Sequence, residues 1–152
     1  MKVREIMTAD VSSCQPETSM AEIAGAMWNQ DCGAIPVVTS EGRVVGMITD
    51  RDICMAVVTK GRTADRIAAR EVSGGEVYTC LPDDDVSVAL ETMKARQVRR
   101  LPVVNREGRL TGILSMNDIA LHSEGKRGVP PDRVVTTLKA ICAHRHAPAG
   151  AA

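Results

Sequence analysis

Displaced so that Gly46 falls on Gly112, a shift of 66 residues, the sequence matches itself without a gap. Val11 meets Val77, Cys14 meets Cys80, Pro16 meets Pro82 and Met27 meets Met93. "PVV" at 36–38 meets "PVV" at 102–104, and "EGR" at 41–43 meets "EGR" at 107–109. The lead-ins also agree, "REI" at 4–6 with "REV" at 70–72. A gapless match over roughly fifty residues means two copies of one supersecondary unit, and a fold for the chain must be a fold for that unit twice.

Each copy reads β-α-β-β-α, so the expected class is mixed α/β (α+β), with the two units packed as an intramolecular pair. A short apolar strand, "VSSC" or "VYTC", ends at Pro16 or Pro82. A helix follows, with Ser19 and Asp85 as N-caps and Ser19 with Glu22 as a capping box. Met20, Ile23, Ala24 and Met27 in one copy, and Val86, Ala89, Leu90 and Met93 in the other, hold the i, i+3, i+4, i+7 spacing of one buried face. "IPVVT" or "LPVVN" then runs as a strand, turns at Glu-Gly, and returns as "RVVGMIT" or "RLTGILS" into a second helix opening at Asp50 or Met116. This divides the chain into a first domain at 1–60, a linker with the second domain at 61–124, and a loop, helix and flexible tail at 125–152. The polar stretch 57–68 is expected to lie outside. The last helix, in "RVVTTLKAIC", should carry Val134, Val135, Leu138, Ile141 and Cys142 on a broad apolar side.

With no Phe, one Trp and one Tyr, the core must be aliphatic, and a base-stacking surface has few rings to use. Nineteen basic and nineteen acidic residues cancel, which leaves no electrostatic footprint for nucleic acid. Cys14, Cys32, Cys54, Cys80 and Cys142 show no CxxC spacing, and most sit in apolar surroundings suited to free thiols. "MKVREIMTAD" lacks the apolar stretch of a secretory signal, and no apolar run approaches membrane-spanning length. The expectation is a cytoplasmic protein without membrane or nucleic-acid partners.

The closing motif of each copy is Gly-h-h-Thr/Ser-x-x-Asp: Gly46, Thr49 and Asp52, then Gly112, Ser115 and Asp118. One reading is structural, a hydroxyl capping a helix with an acid near its positive end. The other is a ligand site needing the same geometry. Unpaired helix N–H groups suit a phosphate, and the two oxygens of a carboxylate suit the two hydroxyls of a ribose. The glycines allow close approach of backbone or ligand. Both readings stand on the sequence, and one residue can serve both.

The tandem repeat, the "PVV" strand before a Glu-Gly hairpin and this closing motif resemble a pair of cystathionine-β-synthase-type (CBS) domains. The resemblance covers roughly residues 3–121, and the last helix is similar to that of stand-alone bacterial CBS-pair proteins, including hypoxic-response-type members. It implies a regulatory module without catalytic residues or a cofactor, binding AMP, ADP, ATP or S-adenosylmethionine between the domains and associating as a homodimer. By the same resemblance Asp52 and Asp118 hold ribose, Thr49 and Ser115 hold ribose or phosphate, and Arg99 and Arg100 reach the phosphates of a nucleotide on the other copy's Asp.

Ahead of "PVV", Gly33 and Ala34 leave room for a planar base where the second copy carries Arg99 and Arg100. Met7 and Ile35 could sandwich an adenine, with Pro36 beside them and Arg51 adding a cation at the helix start. The loop "MTAD" at 7–10, which by the same resemblance lies beside the adenine, becomes "SGGE" at 73–76, and Asn117 replaces Arg51. Both changes favour the Asp52 cleft over the Asp118 cleft. An alternative is a structural or interaction protein with empty clefts, and an unknown protein partner is compatible with either reading. Cys142, His144 and His146 form a Cys-x-His-x-His that could bind a metal but is more simply coincidence near a chain end, so no metal site is assigned.

Overall fold

The structure is a computed structural model and describes residues 1–124 and 128–143. Its elements are α1 (Met20–Asn29), β1 (Ala34–Val38), β2 (Val44–Thr49), α2 (Asp50–Lys60), α3 (Val86–Arg96), β3 (Arg100–Val104), β4 (Leu110–Ser115), α4 (Met116–Leu121) and α5 (Pro131–Cys142). Single 3₁₀ turns at Val3–Glu5, Ala64–Arg66 and Ala69–Glu71 precede α1 and α3. Each copy is thus an antiparallel hairpin with a helix before and after it, the expected α/β architecture. The expected leading strands shrink to one parallel bridge each, Cys14 to Val37 and Cys80 to Val103. Cys14 N–H donates to Pro36 O at 2.9 Å and Cys14 O accepts from Val38 N–H at 2.8 Å, after which Pro16 ends the pairing.

The helices start where their caps are. Ser19 Oγ accepts the Glu22 N–H at 3.3 Å while Glu22 Oε2 takes the Ser19 N–H at 3.1 Å, a reciprocal capping box. Asp85 Oδ1 accepts the Ser87 N–H at 2.9 Å, and the Ser87 bonds hold its carboxyl below the usual range. Both hairpins reverse at a glycine in the left-handed region, Gly42 at φ +80° and Gly108 at φ +78°, where a Cβ would be strained. The register pairs Ala34 with Thr49 and Arg100 with Ser115, placing the residue before each "hP" dipeptide beside a hydroxyl of the closing motif.

The cores exchange segments. Val3 and Ile6 are buried with α3, β3 and β4 of the second copy, while Ile67 and Ala69 are buried with α1, β1 and β2 of the first. The exchange obeys the repeat: the bridge Lys2 to Asp85 has its mate in Ala68 to Ser19. Residues 57–68 lie mostly outside, as expected, but carry one inward anchor. Residues 57–60 complete α2, and Ile67, 1% exposed, anchors the first core. Each lead-in covers the other copy's sheet because its own copy is too small to close its core.

At the centre Arg43 and Arg109, equivalent under the repeat, bridge to each other. Val44 N–H donates to Gly108 O and Leu110 N–H to Gly42 O, which joins the two hairpins about a local pseudo-two-fold. The second copy is the one that α5 covers. Val134 and Thr137 of α5 are buried and Ile141 packs on the second core, whereas Val135, Leu138 and Cys142 face outward. The apolar side expected of this helix is thus split, because α3 and α4 occupy only one stripe of it. Cys14 and Cys80 are buried free thiols and Cys32 packs against the first core, so apolar surroundings hold for three of the five, while Cys54 and Cys142 are exposed.

Candidate functional site

The closing motif folds as a closed ring of hydrogen bonds in both copies. Asp52 Oδ2 accepts from Thr49 N–H at 2.8 Å and from Thr49 Oγ1–H at 2.7 Å, and Asp52 N–H returns to Thr49 Oγ1 at 3.2 Å. Ser115 and Asp118 repeat this at 2.7, 2.6 and 3.3 Å. The capping reading is correct for both. Two donors saturate Oδ2 of each Asp and leave Oδ1 facing away from the cap. The ribose expectation, which used both oxygens, therefore narrows to Oδ1.

The expectation of unpaired N–H groups does not hold at α2. Asp50 N–H donates to Gly33 O at 3.3 Å, Arg51 N–H to Asp50 Oδ1 at 2.8 Å, and Asp52 N–H to Thr49. Asp50 is the residue that closes this end, a side-chain acceptor that Met116 cannot supply in the second copy. Anion recognition here falls to side chains.

Two clefts lie between the copies. The first, of about 660 Å³, gathers Thr49, Arg51 and Asp52 with Arg99, Arg100 and Ala34. Its other wall is Ser73–Glu76, Tyr78 and Val98, with Ile141 of α5 at its edge. The second, of about 770 Å³, gathers Ser115, Asn117 and Asp118 with Thr8, Asp10, Asp31, Gly33, Ala34 and Arg100. The structure thus brings Arg99 and Arg100 to the other copy's Asp. Among the described residues the guanidinium groups of Arg51, Arg99 and Arg100 make no ion pair or hydrogen bond, although Asp50, Asp52 and Glu76 share their cleft.

Three expectations are corrected. The loops are exchanged between clefts: Thr8 and Asp10 of "MTAD" line the Asp118 cleft and "SGGE" lines the Asp52 cleft, because each lead-in packs on the opposite copy. Met7 lies against Gly112 in the second copy, where a Cβ would be 3.0 Å from its Sδ and 2.7 Å from Thr8 O. Ile35 points into the first core at 1% exposure, and Pro36, also buried, lines neither cleft. Gly46 likewise admits a neighbouring residue rather than ligand, since a Cβ there would sit 2.7 Å from Ser73 Cβ and 3.1 Å from its Oγ.

Tyr78 was not singled out from the sequence. Its hydroxyl donates to Glu76 Oε2 at 2.9 Å and its ring carries Arg96 4.6 Å above the centroid. Being the single Tyr of a chain without Phe was the signal available. Among the described residues no three His, Cys, Asp or Glu side chains are placed to hold a metal, and His144 and His146 lie outside the described residues. No helix among them is long and apolar enough to cross a membrane.

A two-fold repeat of hairpin and helices, with an exchanged lead-in and a hydroxyl–carboxylate ring at each of two inter-copy clefts, defines a tandem domain pair. The chain belongs to the CBS domain family, which matches residues 3–59 and 69–125. It is 33% identical over 139 residues to hypoxic response protein 1 of Mycobacterium tuberculosis, covering 91% of this chain and 92% of that protein. It is 34% identical over 119 residues to an uncharacterized protein of Methanopyrus kandleri, of which the match spans 61%, and 78% of this chain. The crystal structure of Hypoxic Response Protein I with two coordinated zinc ions superposes with a TM-score of 0.74 at 32% identity, covering 80% of this chain and 98% of that one. A CBS domain protein from Pyrobaculum aerophilum, complexed with AMP, shares the fold at a TM-score of 0.72 and 23% identity, covering 94% of this chain and all of that one.

Proposed function

We propose that this CBS pair is a regulatory module that binds an adenosine-containing ligand, a phosphorylated one by preference, in the cleft built on Asp52. The observation that carries the reading is the convergence of three guanidinium groups without partners among the described residues, Arg51, Arg99 and Arg100, on a cleft that also holds Asp52, whose Oδ1 is not used by the cap. Arginine's planar donors match phosphate oxygens, and Oδ1 accepts from ribose hydroxyls. Tyr78, Val98 and Ile141 give the base an apolar wall. The AMP complex of the Pyrobaculum protein supports the ligand class. Occupancy would alter how the copies pack, and a partner or dimer contact would read that change. The second reading, a structural pair with empty clefts, draws on the fully satisfied caps.

A thermal-shift panel of adenosine, AMP, ADP, ATP and S-adenosylmethionine tests the proposal. At about 100 times Kd a bound ligand adds about 2.7 kcal/mol. A shift from one or more of these ligands, absent with guanosine, is expected; no shift with any of them returns the motif to capping alone.

A further inference from the structure

Arg100 belongs to both clefts. Its backbone pairs with Ser115, beside the Asp118 ring, while its Nη2 reaches within 3.7 Å of where a Gly33 Cβ would stand. Asp50 Oδ2 lies 3.0 Å from that same point, on the Asp52 side. Arg100, half-buried as a residue, nevertheless forms no ion pair with Asp50, so its guanidinium stands at the boundary rather than fixed to either side. A long side chain without a fixed partner can turn toward whichever anion is present.

The clefts depend on Arg100 unequally. The charged residues lining the Asp52 cleft are Asp50, Asp52 and Glu76 against Arg51, Arg99 and Arg100. Those lining the Asp118 cleft are Asp10, Asp31 and Asp118, and among the described residues Arg100 is their one cation. The repeat offers no reciprocal: the mate of Arg100 is Ala34, which also lines both clefts but carries no charge.

We propose that Arg100 couples the two clefts, so that an adenosine phosphate in the Asp52 cleft withdraws it and disfavours a second phosphorylated ligand in the Asp118 cleft. The proposal rests on the ligand reading above and extends it: the pair holds two adenosines independently but two nucleotides against each other. Withdrawal leaves Asp10, Asp31 and Asp118 facing an incoming phosphate with no opposing cation. An uncharged ligand meets no such penalty. Coupling of this kind is reciprocal and typically several-fold to a hundredfold.

Calorimetric titration of the full chain with AMP and with adenosine tests it, using wild type, Asp52→Ala, Arg100→Gln and Arg100→Lys. In the wild type the second AMP should bind about tenfold more weakly than AMP binds the Asp118 cleft of Asp52→Ala. The same comparison on the Arg100→Gln background, with and without Asp52→Ala, should show no difference, Arg100→Lys should retain it, and adenosine should fill both clefts independently throughout. Two AMP molecules binding the wild type independently, or a coupling that survives Arg100→Gln, overturns the proposal while leaving the ligand reading intact. If neither AMP nor adenosine binds the wild type, the ligand reading fails and the coupling falls with it.

Discussion

Thr49 and Asp52 satisfy each other through one oxygen: Asp52 Oδ2 takes both the backbone N–H and the hydroxyl of Thr49, and Oδ1 takes neither. One carboxylate can therefore start a helix and still present an acceptor to the cleft. Asp52→Ala should cost about 1 kcal/mol of stability through the lost cap, as should Asp118→Ala. Their effects on binding should part company. AMP affinity should fall further in Asp52→Ala, whose cleft holds three arginines, than in Asp118→Ala, whose cleft holds one. Calorimetry on both variants reads this directly, and equal losses would show that the clefts are equivalent.

The two glycines of the motif should respond differently to a methyl group. A Cβ on Gly112 meets the backbone Thr8 O at 2.7 Å, inside the pairing of Thr8 with Ile113, whereas one on Gly46 meets chiefly the Ser73 side chain. Gly112→Ala should therefore lose about 1–3 kcal/mol, the usual cost of overpacking. Gly46→Ala should lose less, since the bridge of Thr8 to Ile113 has no mate on β2 among the described residues. Urea denaturation of both variants gives the order.

Burial pushes the Cys14 thiol up to about 11 and the Cys80 thiol up to about 12, the latter helped by Asp84. Both remain protonated at pH 8, so iodoacetamide should label the exposed Cys54 and Cys142 quickly and these two only on unfolding. The folded-state pKa lies above the ordinary value of 9.0, so the unfolded chain loses these protons first. Their contribution is complete below pH 9 and drains away as pH rises toward 11–12. Replacing both cysteines by alanine should flatten stability across that window.

We propose that the chain is a homodimer. The helix α5 packs on α3 and α4, but the mates of those helices, α1 and α2, keep an open groove whose apolar lining is Ala24, Met27, Trp28, Cys32 and Ile53, with Asp31 and Asp50 also lining it. Trp28 stands 87% exposed at its lip and Val58 72% exposed on α2. Sedimentation should show a dimer at micromolar concentration that Trp28→Lys weakens; a monomer at all concentrations would contradict it.

Much of the fold was legible because it is encoded twice. The caps at Ser19, Asp85, Thr49 and Ser115, the stripes of α1 and α3, and the Glu-Gly turns all follow from local spacing that the repeat corroborates. What local spacing cannot carry is which copy a segment packs against. "REI" and "REV" read as lead-ins to their own copies, yet each inserts into the other's core, and that exchange put Thr8 and Asp10 in the Asp118 cleft and "SGGE" in the Asp52 cleft. Ile35 was misplaced because strand alternation has two faces and the sequence does not say which faces the helices. Tyr78 packs on its own copy's core and reaches the Asp52 cleft because that cleft lies between the copies, which no pattern within one copy announces.

The most direct test of nucleotide binding at Asp52 compares AMP with adenosine on the wild type and on Arg99→Gln/Arg100→Gln. The two glutamines keep polarity and much of the bulk while removing charge that only a phosphate requires. AMP affinity should fall about tenfold or more, about 1.4 kcal/mol, adenosine affinity should scarcely change, and added salt should weaken AMP binding more in the wild type than in the variant. Equal losses for AMP and adenosine, or no binding of either to the wild type, would contradict phosphate recognition by this cleft.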